Sequence, residues 1–138
     1  MTERTLAILK PDSVSAGRTG AILACLEEEG FRLAGIKRIR LSVEQARAFY
    51  AVHRDRPFFE GLIRFMTEGP VVPVALEREN AVAHLRSTMG ATDSKKAERG
   101  TLRNLYGTDI ERNAIHGSDS SENAAKEVAF FFSEAELV

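Results

Sequence analysis

The chain has 138 residues, 43% hydrophobic and 28% charged, with a formal net charge of −1. That length supports one domain over 1–138 with a real buried core, and the charge balance argues against a nucleic-acid binder working by general basicity. A single cysteine, Cys25, excludes an internal disulfide and a cysteine metal cluster. No apolar run approaches the roughly 20 residues of a membrane span, and residues 1–4 lead straight into a strand-like run with no room for a secretory signal. A soluble cytoplasmic protein is expected.

Residues 5–10, Thr-Leu-Ala-Ile-Leu-Lys, read as a short strand buried on both faces. Pro11 ends it, because proline cannot donate to the ladder. Lys10 therefore sits at a strand end, facing either a site or solvent. Residues 18–30 read as a helix with Ile22, Cys25 and Leu26 on one stripe and Gly30 as its C-terminal cap. From Phe31 the period becomes two: Phe31, Leu33, Ile39 and Leu41 share one parity, with Arg32, Arg38 and Arg40 on the other. The expectation is a half-buried strand over 31–41 whose arginine face is solvated or subunit-facing.

Residues 42–51 form a short helix opened by Ser42 with Gln45 three residues on, the pattern of a capping box. A second helix over 58–66 carries Phe59, Leu62, Ile63 and Met66 at helical spacing. Phe58 and Phe59 cannot both face the core, since helix neighbours lie about 100° apart, so one is free for a surface or a ligand. Gly69-Pro70 breaks to a strand over 71–76, where Pro73 calls for a bulge or an unpaired N–H position. Residues 79–89 read as a helix with Arg86 in the last turn, where a cation suits the dipole. Residues 90–113 read as a long, mostly irregular and functional segment rich in cations. A strand over 114–116 and a helix over 121–132, capped by Asp119 or Ser120, complete an α+β sandwich: helices covering a largely antiparallel sheet.

The stretch Asn113-Ala114-Ile115-His116-Gly117-Ser118-Asp119 is where chemistry concentrates. Imidazole accepts and passes on a group near neutral pH, because much of it is uncharged there. A histidine in a glycine-bounded turn also fits a purely structural role, so the motif gains meaning from the rest of the chain. Asn113-Ala114-Ile115-His116-Gly117-Ser118-Asp119-Ser120 resembles the active-site signature of the nucleoside diphosphate kinases. The likeness runs along the chain through Lys10-Pro11-Asp12, Arg56-Pro57-Phe58-Phe59, Gly69-Pro70-Val71-Val72, Gly90-Ala91-Thr92 and Gly100-Thr101-Leu102-Arg103.

The resemblance implies a ferredoxin-like sandwich with a four-stranded antiparallel sheet, and transfer of the terminal phosphate between nucleoside triphosphates and diphosphates. It makes His116 the nucleophile, with Glu127 on the other ring nitrogen and Ser118 supporting Glu127. Lys10 and Tyr50 would flank the transferred phosphate, and Arg86, Thr92, Arg103 and His53 would bind phosphates. Phe58 would stack on the base beside Leu62, with Lys10 and Asn113 on the ribose hydroxyls. These roles agree with the chemistry of the side chains: a carboxylate orients the nucleophile, and three cations offset phosphate charge. A ring that binds any base by its face gives low base selectivity. No GxxxxGK loop is present, so this is not a P-loop kinase. With no carboxylate cage in the sequence, Mg2+ is expected to arrive with the nucleotide.

Departures from the family pattern fall in the long loop: Asp93-Ser94 for Asn-Pro, Arg99 for proline, and Asn104-Leu105-Tyr106 for Gly-Asp-Phe. They bear on the loop's rigidity and subunit contacts and remove no expected site residue. The family implies a homo-oligomer, a tetramer or hexamer built from dimers, and the missing prolines point to a robust dimer with a weaker contact between dimers. Two other readings stand beside the enzyme: an idle nucleotide-binding regulatory member, and a nucleic-acid binder, which the charge disfavours.

Overall fold

The apolar run at the start becomes β1 (Thr2–Leu9), in which Leu6, Ala7, Ile8 and Leu9 are all fully buried. Alternation sends Leu6 and Ile8 to one core and Ala7 and Leu9 to the other. The structure, a computed structural model, describes residues 2–138. β1 pairs antiparallel with β3 (Val72–Glu79) on one side and β4 (Ile115–Gly117) on the other. β2 (Arg32–Ile36) pairs antiparallel with β3 and completes the order β2-β3-β1-β4. This is the α+β sheet expected from the sequence.

Helices cover both faces. The first core packs α3 (Val43–Phe49), α4 (Phe59–Met66) and α7 (Ser121–Phe131) against the sheet. The second packs α1 (Pro11–Ser15), α2 (Thr19–Glu28), α5 (Ala81–Met89) and α6 (Leu102–Tyr106). A truncation at the centre, such as Leu6→Ala, costs about 2–5 kcal/mol. Local signals set the helix ends. Ser42 and Gln45 form the reciprocal capping box, and Ser120 Oγ accepts from Asn123 N to start α7. Gly30, at φ +87°, ends the turn after α2, where Phe31 N reaches back to Leu26 O.

Four expectations need correction. The strand over 31–41 runs only to Ile36, beyond which the isolated bridge Ile39–Val71 continues it, and a register shift between Leu33 and Gly35 breaks its alternation. Phe31 and Leu33 consequently pack in the second core, whereas Ile39 and Leu41, of the same parity, pack in the first. β3 runs on to Glu79, and Asn80, at φ +53°, makes the turn into α5. The segment 90–113 is less irregular than expected: it contains a 3-10 turn (Ser94–Lys96) and α6, capped by Thr101 Oγ1. α1, directly after Pro11, had no counterpart in the sequence reading. Pro73 causes no shift in the pairing with β1. Its carbonyl accepts from Lys37 N, so the side with no N–H lies just past the end of β2. Among the described residues no helix is long and apolar enough to cross a membrane.

Candidate active site

β4 is three residues long, and its middle residue, His116, pairs with Ile8. Ile8 faces the first core, so His116 points to the same side, toward α3 and α7. Phe49 and Tyr50 meet the imidazole edge-on, with centroids at 5.5 and 6.0 Å. His116 Nε2 lies 2.8 Å from Glu127 Oε1, and Ser118 Oγ donates to that same oxygen at 2.8 Å. A carboxylate only accepts, so Nε2 carries the hydrogen and the Nδ1 lone pair is left for chemistry. Burial lowers the His116 pKa; the Glu127 bond opposes this, and Lys10 and Arg103 add to the lowering. The ring is therefore neutral at pH 7. Gly117 points to the other face, where a Cβ would lie 2.5 Å from Met89 Sδ. A larger residue after the histidine would make Met89 of α5 shift.

Lys10 follows β1 and is buried, and its Nζ donates to Asn113 Oδ1 at 2.8 Å. Burial, and then the charge of Arg103, push its pKa down to about 8, against the pull of Asp12 and Glu111. Asn113 is held in turn through Nδ2 to Thr92 O at 2.9 Å and Ile110 O at 3.2 Å. Lys10 and Asn113, both expected on the ribose hydroxyls, are bonded to each other.

Arg103 was expected in a loop but is buried on α6, donating to Ile115 O at 2.8 Å and Gly90 O at 3.2 Å. Its Nε is buried without a partner among the described residues. Burial, followed by the charge of Arg86, lowers its pKa to about 10, so it stays charged at neutral pH. Arg86 and Thr92 are exposed, and with Arg103, Lys96 and Glu98 they line an open cleft of about 460 Å³. The buried Tyr50 hydroxyl has no partner among the described residues, and burial raises its pKa, keeping it a donor.

His53 and Phe58 contact each other at 5.6 Å, with Phe58 half-exposed. Phe59 is buried, so the two neighbours do point apart. Leu62 is packed into the first core. The structure thus gathers His116, Glu127, Ser118, Lys10, Asn113 and Tyr50 at the ends of β1 and β4. Arg103 joins them to the cleft through its bond to Ile115.

The loop departures have local partners. Asp93 Oδ1 accepts from Lys95 N at 3.1 Å, and Asn104 Oδ1 accepts from Gly100 N at 3.2 Å. Ser94 is buried against Gly107, where a Cβ would lie 2.0 Å from its Oγ, and Arg99 is exposed. Sequence reasoning missed Phe49 beside His116 and the grip of Asp12 on Ala114 N at 3.1 Å. The Lys10-Pro11-Asp12 turn was a visible signal for Asp12; adjacent aromatics at a helix end gave none for Phe49.

A family model described as nucleoside diphosphate kinase matches residues 3–137. The chain belongs to the nucleoside diphosphate kinase family. It is 56% identical over 137 residues to the nucleoside diphosphate kinase of Acidiphilium cryptum, covering 99% of this chain and 98% of that protein. It is 51% identical over 136 residues to that of Persephonella marina, covering 99% and 97%. The solved nucleoside diphosphate kinase of Aquifex aeolicus superposes with a TM-score of 0.98 at 45% identity over the whole of both chains. That of Halobacterium salinarum, in complex with CDP, gives 0.96 at 43% identity, covering all of this chain and 92% of that one. The protein is a phosphotransferase that moves the terminal phosphate of a nucleoside triphosphate to a nucleoside diphosphate.

Proposed function

We propose that transfer is ping-pong, through a phosphohistidine at His116. The observation that carries this reading is the Ser118–Glu127–His116 chain, which fixes the tautomer and aims one lone pair. In the first half-reaction Nδ1 attacks the γ-phosphorus, the P–O bond to the leaving diphosphate breaks, and the nucleoside diphosphate departs with that electron pair. Nε2–H stays bonded to Glu127, whose carboxylate offsets the positive charge developing on the ring. In the second half-reaction a terminal oxygen of the acceptor diphosphate attacks phosphorus, the P–N bond breaks and the imidazole is restored. Lys10 and Arg103, both buried and charged at neutral pH, supply fixed positive charge beside the reacting oxygens. Tyr50 is the remaining donor, and Arg86, Thr92 and His53 hold the outer phosphates.

Phe58 is the exposed ring on which the base stacks, next to α4 and Leu62. The CDP bound to the Halobacterium salinarum relative supports a nucleotide site that accepts pyrimidines. Magnesium carried by the β- and γ-phosphates would neutralise charge on the oxygens that the side chains do not reach. The cleft suits such cargo: its lining includes Arg86, Lys96 and Arg103 against one carboxylate, Glu98. The whole chain acts as one domain in the cytoplasm, as a homo-oligomer built from dimers. The free edge of β2 is available for pairing, although Ala34 O there already accepts from Val138 N.

Incubation with γ-labelled ATP should put an acid-labile, base-stable label on the protein, and His116→Ala should lose both the label and exchange. Normal exchange in His116→Ala would overturn the mechanism. An idle regulatory member would bind nucleotide and take no label. Light scattering over a dilution series reads the assembly, and a monomer at all concentrations would refute that part.

A further inference from the structure

Ala114 links Asn113 to the His116 strand in a backbone conformation that alanine seldom takes. Its φ is +74° and the residue is fully buried. Ile115 N donates across it to Asn113 O at 2.9 Å, which makes a γ-turn of the rare, strained type with positive φ at its centre. Both peptides that flank its Cα are anchored to the segment after β1. On the near side, Ala114 N donates to Asp12 Oδ2 at 3.1 Å. On the far side, Ala114 O accepts from Ser13 Oγ at 2.8 Å and from Lys10 N at 2.9 Å. With one bond on the near side of the Cα and two on the far side, neither φ nor ψ can relax without breaking at least one.

The residues on either side are the ones the chemistry uses. Asn113 holds Lys10 Nζ, Ile115 holds Arg103, and His116 follows. Asp12 keeps its other carboxylate oxygen buried without a partner among the described residues, an arrangement that stability alone would not favour. We propose that Asp12 and Ser13 are positioning residues for the transfer reaction. They clamp the strained Ala114 turn and so set Asn113 and Lys10 in register with His116.

The proposal rests on the roles given above to Lys10, Asn113 and His116, which the His116→Ala label experiment tests separately. Its own test compares steady-state exchange in Asp12→Ala, Asp12→Asn, Ala114→Gly and the Asp12→Ala/Ala114→Gly double variant, with folding checked by circular dichroism. Asp12→Ala should lower kcat on the order of 10- to 100-fold with little change in KM, the cost of slight misplacement. Glycine takes positive φ at no steric cost, so Ala114→Gly should recover part of that loss in the double variant. Asp12→Asn keeps an acceptor for Ala114 N and should retain most of the turnover that Asp12→Ala loses. A double variant no faster than Asp12→Ala would overturn the clamp. An Asp12→Asn enzyme as slow as Asp12→Ala would overturn it too, by showing that charge rather than the bond matters. If Asp12→Ala fails to fold, Ser13→Ala, with and without Ala114→Gly, tests the clamp from the far side. The Lys10 N bond to Ala114 O remains there, so a smaller loss is expected, again partly recovered by Ala114→Gly. No loss in Ser13→Ala, or none recovered, would overturn the clamp.

Discussion

Lys10 is held at a cost, and pH exposes it. Folded, the ammonium releases its proton near pH 8; unfolded, it keeps it to its ordinary value of 10.5. Between those values the unfolded chain binds more protons, so stability rises with pH across the window. Below about pH 8 both states are charged and the full cost, about 3 kcal/mol, is present. Lys10→Met removes the titration and leaves Asn113 Oδ1 without its donor, a loss of about 1–3 kcal/mol that does not vary with pH. The informative quantity is therefore the difference in unfolding free energy between the two proteins. From pH 8 to 10.5 it should move by about 3 kcal/mol in favour of the wild type. Urea unfolding followed by circular dichroism, at one protein concentration and several pH values, measures it. The variant should have almost no exchange activity throughout, and wild-type kcat/KM should have an alkaline limb near pH 8. Stability curves that run parallel from pH 7 to 10.5 would refute the reasoning.

Phe58→Ala should weaken nucleotide binding by about 1–3 kcal/mol, equally for purines and pyrimidines, with stability nearly unchanged because the ring is half-exposed; titration calorimetry with ADP and CDP checks this. Arg86→Ala should lower kcat/KM and leave stability within about 0.5 kcal/mol. Arg103→Ala should lower both, since it strands the Gly90 and Ile115 carbonyls at about 1–3 kcal/mol; paired kinetics and urea curves separate the two. Gly117→Ala should destabilise by about 1–3 kcal/mol through its clash with Met89, and Met89→Ala in the same chain should relieve the clash in thermal melts.

Much of this was legible because the signals were local. Alternation placed Leu6 to Leu9 on two faces, Ser42 and Gln45 announced α3, and 100° between neighbours separated Phe58 from Phe59. The motif around His116 pointed to Glu127 and Ser118: Glu127 meets the ring, and Ser118 bonds Glu127. What was not legible depends on distant partners. Nothing near Ala34 tells of the register shift within β2, because the shift is defined against Leu76 and Ala75 on β3. Arg103 was read as a loop cation, since the two carbonyls that bury it belong to residues 90 and 115. The strain at Ala114 was hidden for the same reason: its bonds come from Lys10, Asp12 and Ser13.

The sheet order also bears on how the protein is made. β1 leaves the ribosome first but ends up between β3 and β4, which are translated much later. Until residues 72–79 emerge, the nascent chain carries Leu6, Ala7, Ile8 and Leu9 with both hydrogen-bonding edges open. Helices α1 to α4 can form in that interval from local contacts, but no strand available by then belongs beside β1. The delay in closing these long-range pairs makes folding slow to start and exposes an aggregation-prone segment during synthesis.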